Sequence, residues 1–258
     1  PAWSPDGRQL AFNRGADQDG NLSVWRMNAD GTGMAQVTTP PDPVDQAVVD
    51  WRVLPTSIMT ACPPDQVPDA QFMGGPNMHD DAIDCVAWYD IARGYHNDYH
   101  HALPVRRDQI ASFLARLLEH AGVDLPEPTD QGFTDIEAGK THADAVNQLA
   151  QLGLVNGTSA TTYTPHAPMT RGQMATLLAR IHHHVTGSAL PRALDEFDDD
   201  NGATHEAAID RIAHAGIATG TSTSRYQPGA NVRRDQMATF LARLLDELAR
   251  DGHITLPQ

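Results

Sequence analysis

A mainly α fold is predicted, with three helix-loop-helix modules behind a small N-terminal β segment, and three observations predict it. The phrase VRRDQIASFLAR at Val105 returns as MTRGQMATLLAR at Met169 and as VRRDQMATFLAR at Val232. Each phrase keeps a helical apolar period. Upstream of each lie a second, shorter apolar run and a fixed glycine, so the repeating unit is longer than the phrase and returns every 63 or 64 residues. A unit of this size rarely buries its own apolar face and needs its neighbours.

The phrase itself is an amphipathic helix. Ile110, Phe113, Leu114 and Leu117 fall at i, i+3, i+4 and i+7, as do Met174, Leu177, Leu178 and Ile181, and Met237, Phe240, Leu241 and Leu244. Thr170 and Gln173 fit a capping box. Arg106 and Arg233 stand where that Thr would be, so the cap is expected to be lost in the outer copies, although Asp108 and Asp235 suit the positive helix end. A basic residue at a helix start is locally unfavourable, which points to a purpose other than helix stability.

The shorter helix of each module is marked by Ile83, Val86 and Ala87, by Val146, Leu149 and Ala150, and by Ile209, Ile212 and Ala213. Gly153 and Gly216 follow where a helix end favours a left-handed residue, with Asp90 in that place in the first copy. His79, His142 and His205 recur at one spacing, as do Gly94, Gly157 and Gly220. An apolar-x-Asp turn precedes each shorter helix: Val67-Pro68-Asp69, Phe133-Thr134-Asp135 and Phe197-Asp198-Asp199. The modules are placed at 72–122, 129–186 and 194–250, with 56–71 a Pro- and Asp-rich linker.

Residues 1–55 have a different texture. AWSPDGRQLAF alternates apolar and polar residues around a turn, and NLSVWRMNADGTGMAQVT reads as strand, Asp30-Gly31 turn and strand. Asp50-Trp51-Arg52 restarts the phrase that began at Ala2-Trp3-Ser4. This segment resembles one repeat of a TolB-type β-propeller, that is, a partial propeller blade. A lone blade leaves its edges uncovered, so the chain is expected to be the C-terminal part of a longer exported protein, and a propeller completed upstream would offer a face to a protein partner.

The chain has 258 residues, a net charge of −15 and 13 histidines. So acidic a surface disfavours nucleic acid and anionic membranes, and no apolar run is long enough for membrane insertion. Cys62 and Cys85 lack C-x-x-C spacing. Paired, they would form a disulfide worth about 3 kcal/mol and point to an oxidising compartment; the alternative is two free buried thiols. His182-His183-His184 cannot converge as metal ligands at 100° per residue. The acidic run Asp195 to Asp200 lacks the spaced D-x-D-x-D-G loop of a Ca²⁺ site, which leaves only weak cation binding. No nucleophile elbow, zinc motif or phosphate loop occurs, so no enzyme, resident metal or cofactor is expected.

The modules resemble three tandem S-layer homology modules over roughly residues 62–250, through FTDI at Phe133, the alanine-rich first helix, the G…Y-x-P loop and the TRAE- or TRAQ-like phrase. The resemblance implies a pseudo-threefold helical prism with grooves between modules. It also implies non-catalytic attachment to the bacterial cell wall or cell surface, through an anionic or pyruvylated cell-wall polysaccharide. The groove arginine of the family falls on Arg107, Arg171 and Arg234, with Gln109, Gln173 and Gln236 in the neighbouring slot; His79, His142 and His205 stand near the family's sugar-stacking Trp. A guanidinium beside free N–H groups of a helix start would suit a carboxylate. The competing expectations are that the arginines pair with acids of the adjacent module while the modules self-assemble or dock a protein, and that the region anchors a larger exported hydrolase or peptidase.

Overall fold

A computed structural model describes residues 2–3, 9–16, 22–28, 30–36, 60–72, 78–95, 98–193, 195–222 and 224–257. The turn at 4–7, the restart at Asp50-Trp51-Arg52 and the first residues of the linker lie outside them. The chain divides into two compact units.

The N-terminal unit is an antiparallel meander of β1 (Ala2–Trp3), β2 (Gln9–Ala16), β3 (Leu22–Asn28) and β4 (Ala35–Gln36), paired in chain order. Period-2 alternation sets the register, with Phe12 opposite Trp25 and Leu10 opposite Met27. Between β3 and β4 the Asp30 carboxylate accepts from both the backbone N–H and the hydroxyl of Thr32. Gly31 and Gly33 there take left-handed φ values of 83° and 64°.

Among the described residues the second unit holds six helices: α1 (Asp80–Trp88), α2 (Arg107–His120), α3 (Ala143–Gln151), α4 (Arg171–Thr186), α5 (Glu206–His214) and α6 (Arg234–Arg250). Each module therefore contributes one short and one long helix, and the apolar positions expected on the long ones are buried. The short helix of a module packs on the long helix of another: α3 lies on α2, and α1 lies on α6. The first module is thus completed by the last.

Three backbone bonds close the same circuit. Val105 N–H donates to Val232 O, Val232 N–H to Met169 O and Met169 N–H to Val105 O, each at 2.9 Å. Each of these residues precedes an arginine helix and is buried. The three modules consequently share one set of hydrogen bonds that no single module could complete.

The shorter helices end as their spacing predicts, with Gly153, Gly216 and Asp90 at positive φ. Thr170 Oγ1 accepts from Gln173 N–H, and Gln173 Oε1 accepts from Thr170 N–H, forming the expected capping box. At α2 and α6 the guanidinium offers no acceptor, and the carboxylate two residues on replaces the hydroxyl. Asp108 accepts from Gln109 N–H at 2.8 Å, and Asp235 from Gln236 N–H at 2.7 Å.

One expectation about the first module is corrected. Phe72, not Val67, occupies the place of Phe133 and Phe197: its ring lies 5.4 Å from Tyr99, as Phe133 lies 5.6 Å from Tyr163 and Phe197 5.3 Å from Tyr226. The described end of the linker is also tied down. Cys62 is disulfide-bonded to Cys85, Tyr89 Oη donates to Ala61 O, and Asp246 on α6 accepts from Thr60 and Ala61 N–H.

Candidate functional site

The three arginines of the phrase reach out of their own modules. Arg107 Nε donates to Tyr163 O at 2.9 Å and its Nη2 to Asn156 O at 2.8 Å. Arg171 does the same with Tyr226 O and Thr219 O, both at 2.7 Å, and Arg234 with Tyr99 O at 2.8 Å and Arg93 O at 3.3 Å. Each guanidinium also lies over the ring of its tyrosine, 4.4–4.8 Å from the centroid. First module clasps second, second clasps third, and third clasps first.

Among the described residues these donors go to carbonyls and the guanidinia to aromatic faces, and no ion pair joins them to an Asp or Glu of a neighbouring module. A planar fork of donors matches two carbonyls at once, and the ring faces the delocalised charge. Arg171 and Arg234 are only 4% and 8% exposed, and burial lowers the pKa of both. Arg107 is half-buried.

The helix starts are equally committed, which corrects the expectation of free N–H groups. Arg107 and Asp108 donate their backbone N–H to Ala167 O and Pro165 O, Arg171 and Gly172 to Ala230 O and Pro228 O, and Arg234 and Asp235 to Leu103 O and His101 O. The third N–H goes to Asp108, Thr170 or Asp235, as above. Gln109, Gln173 and Gln236 each fold back so that Oε1 accepts from the N–H of the residue before the helix, at 3.1–3.2 Å.

The three histidines also join modules. His142 Nδ1 lies 2.8 Å from Ser112 Oγ, His205 Nδ1 2.8 Å from Thr176 Oγ1, and His79 Nδ1 2.7 Å from Thr239 Oγ1. His79 and His142 make no side-chain cap bond to α1 or α3. All three are half-buried, and burial lowers their pKa values and favours neutral imidazole.

Beside His142 opens a groove of about 600 Å³ between the start of α2 and the turn before α3. Arg106, Asp108, Asp135, Lys140, His142 and His166 stand on its wall. Arg106 forks onto the Asp108 carboxylate at 3.0 and 2.9 Å, and His166 Nδ1 lies 3.4 Å from Asp108 Oδ2. Lys140, 72% exposed, pairs with Glu137 across one helical turn's distance in sequence. Asp135 accepts from the N–H groups of Tyr163 and Thr164 and so fixes the loop that Arg107 grips.

The other two junctions are built differently. Between the second and third modules Thr170 replaces Arg106 and Gly172 replaces Asp108; a Cβ on Gly172 would come within 2.8 Å of the His205 ring. Between the third and first, Arg233 and Asp235 repeat the fork. The Arg-x-Asp pair was readable in VRRDQ, but nothing in the phrase showed that Lys140 and His166 share its groove.

Residues 132–175 and 196–238 match the S-layer homology domain. An endoglucanase of Bacillus sp. (strain KSM-635) is 29% identical over 129 residues, 49% of this chain and 13% of that protein. An S-layer protein of Bacillus thuringiensis subsp. finitimus is 28% identical over 123 residues, 47% of this chain and 14% of that protein. The S-layer protein sap of Bacillus anthracis is 28% identical over 110 residues, 42% of this chain and 13% of that protein. The chain thus spans about one seventh of the length of these curated relatives.

Proposed function

We propose that the helical unit is a non-catalytic anchor that holds an exported protein at a bacterial cell surface by binding an anionic or pyruvylated wall polysaccharide between its modules. The observation that carries this reading is the groove beside His142, with Arg106, Lys140 and His166 on its wall, in a module that matches the S-layer homology domain. The same wall carries Asp108, Asp135 and Glu137, and Arg106 and Lys140 pair with Asp108 and Glu137, so an anionic glycan competes with these carboxylates for the two cations and binding weakens as salt rises.

In this reading Arg107, Arg171 and Arg234 with Gln109, Gln173 and Gln236 shape the grooves, and His79, His142 and His205 face sugar hydroxyls at the edge of each. The circuit of backbone and arginine bonds supports a pseudo-threefold prism of three S-layer homology modules. The Cys62–Cys85 disulfide suits an extracytoplasmic site, and among the described residues no helix is long and apolar enough to cross a membrane. The meander β1–β4 has the strand order of a propeller blade, which supports the TolB-type reading and a protein partner for a completed propeller.

Co-sedimentation of the purified chain with isolated bacterial walls tests the anchor, before and after mild acid removes their secondary polysaccharide. Pelleting that is lost on stripping is the expected result; pelleting that survives it, or none with any wall, sinks the reading. The endoglucanase relative favours a second reading, that the same unit anchors a hydrolase carried in a longer chain. Glycan hydrolysis by the full-length protein tests that one.

A further inference from the structure

The turns before α3 and α5 are built alike up to one position. Phe133-Thr134-Asp135 and Phe197-Asp198-Asp199 both set a phenylalanine against the buried tyrosine, and Asp199, like Asp135, accepts from two successive N–H groups, those of Tyr226 and Gln227. The next residue differs. The second module has Ile136, and the third has Asp200.

Asp200 is not an exposed replacement. It is 1% exposed, and among the described residues neither carboxylate oxygen has a hydrogen-bond partner. Asp210 on α5 is 7% exposed and accepts Glu196 N–H at 3.1 Å through Oδ1. Asp195 completes the group from the exposed side, and one oxygen from each of the three lies within 4.8 Å of the others. Among the described residues no Lys or Arg forms an ion pair with any of them.

Three carboxylates cannot share so small a volume as anions without a countercharge. Burial, and after it the Asp210 charge, pushes Asp200 up to about 6, and burial raises Asp210 as well. A positive ion would remove both penalties. The donors are all hard oxygens, taken from a loop and a helix rather than from one contiguous motif, and the exposed Asp195 leaves one side open to water. That chemistry fits Ca²⁺, whose six to eight oxygen ligands tolerate irregular geometry, better than a metal that prefers nitrogen or sulfur.

A second group of potential ligands, His182, Glu247 and Asp251, is less in need of an ion, because Arg250 Nη2 lies 2.5 Å from Glu247 Oε2 and supplies the charge partner.

We propose that Asp195, Asp200 and Asp210 form a Ca²⁺ site that ties the turn before α5 to that helix. The site has a structural consequence. The same turn carries Asp199, Asp199 holds the backbone of Tyr226, and Tyr226 receives Arg171 from the second module. An ion at this place stiffens the third module's side of that clasp.

The test is titration of chelator-treated protein with CaCl₂, read by isothermal calorimetry and by the melting temperature, for the wild type, Asp200→Ile and Asp195→Asn. Ile is the residue that the second module accommodates at the equivalent position, so Asp200→Ile is expected to keep the helical circular dichroism and to melt, without Ca²⁺, no lower than the wild type. The wild type is expected to bind one Ca²⁺ and to melt higher with it, and Asp200→Ile to lose both responses. Asp195→Asn alters an exposed residue and tests the site even if Asp200→Ile fails to fold; a loss of about tenfold in affinity is expected from one fewer ligand charge. No binding by the wild type at about 10 mM Ca²⁺, above the ~0.1–1 mM constants of extracellular sites, overturns the proposal. So does binding that either variant leaves unchanged, since that is the behaviour of a diffuse acidic surface.

Discussion

Arg171 and Tyr226 hold each other by three contacts across a module boundary. Arg171 Nε donates to Tyr226 O at 2.7 Å, Tyr226 Oη donates to Arg171 O at 3.3 Å, and the guanidinium lies 4.4 Å from the ring centroid. Arg107 and Tyr163 repeat the arrangement. Arg234 and Tyr99 keep the donor and the ring contact, but among the described residues the Tyr99 hydroxyl lacks a partner.

Arg171→Ala therefore removes a donor from the buried Tyr226 carbonyl and from the more accessible Thr219 carbonyl and leaves a gap over Tyr226, and is expected to cost about 3 kcal/mol. Arg107→Ala, at the half-buried clasp, is expected to cost about 1–2 kcal/mol. Urea unfolding of both variants checks the order. Equal small losses would mean that the clasps do not carry the assembly.

The three repeated glycines answer to a different force from the glycines at helix ends. A Cβ on Gly157 would meet Ser159 O and Thr162 O at 2.5 Å and the Phe133 ring at 2.7 Å, whereas a Cβ on Gly153 meets nothing, its difficulty being a φ of 69°. Gly157→Ala is expected to destabilise by about 2–4 kcal/mol through overpacking, and Gly153→Ala by about 1 kcal/mol through backbone strain. Thermal unfolding of the pair separates the two effects.

These cases show what could be read from residues alone. The helix faces, the capping box and the left-handed helix ends follow from local periodicity and local φ preference, so they were legible. The clasps were not, because Arg107 and Tyr163 are 56 residues apart and no local rule connects an arginine to a distant carbonyl. Phe72 was missed for a different reason. The pattern apolar-x-Asp is met by Val67-Pro68-Asp69 and not by the residues that follow Phe72, so the local pattern pointed to Val67. The Asp195, Asp200 and Asp210 group needed the fold as well, since a motif search sees only the contiguous run.

The pH dependence follows from His142. Burial lowers its pKa most strongly; Asp108 pulls the other way, while Arg106, Arg116 and His166 add to the lowering, and Ser112 Oγ sits at Nδ1. A histidine whose folded pKa is depressed contributes fully above its unfolded value of about 6.5, and that contribution is lost as pH falls below it. Wild type is thus expected to exceed His142→Gln in stability most at about pH 7.5, with the gap narrowing toward about pH 5. Chemical unfolding of the pair across that range is the check, and a gap that widens on acidification would contradict the assignment.

Reduction of Cys62–Cys85 frees the segment that holds Ala61 against Tyr89 and α6. With the cysteines 23 positions apart in sequence, loss of the bond is expected to cost about 3 kcal/mol. Intact mass with and without reductant establishes the bond, and paired unfolding curves measure its contribution.

The most direct test of the anchoring account is calorimetric titration of purified wall polysaccharide into the wild type and into an Arg106→Ala, Lys140→Ala double variant. Lys140 is 72% and Arg106 40% exposed at the side chain, so this pair can be removed without opening the buried clasps. The account predicts a double variant that stays folded but loses about 1–3 kcal/mol of stability, because the buried Asp108 carboxylate gives up its Arg106 fork, together with a loss of about tenfold or more in affinity. Full affinity in a folded double variant would contradict it, and would take the binding site away from the groove beside His142.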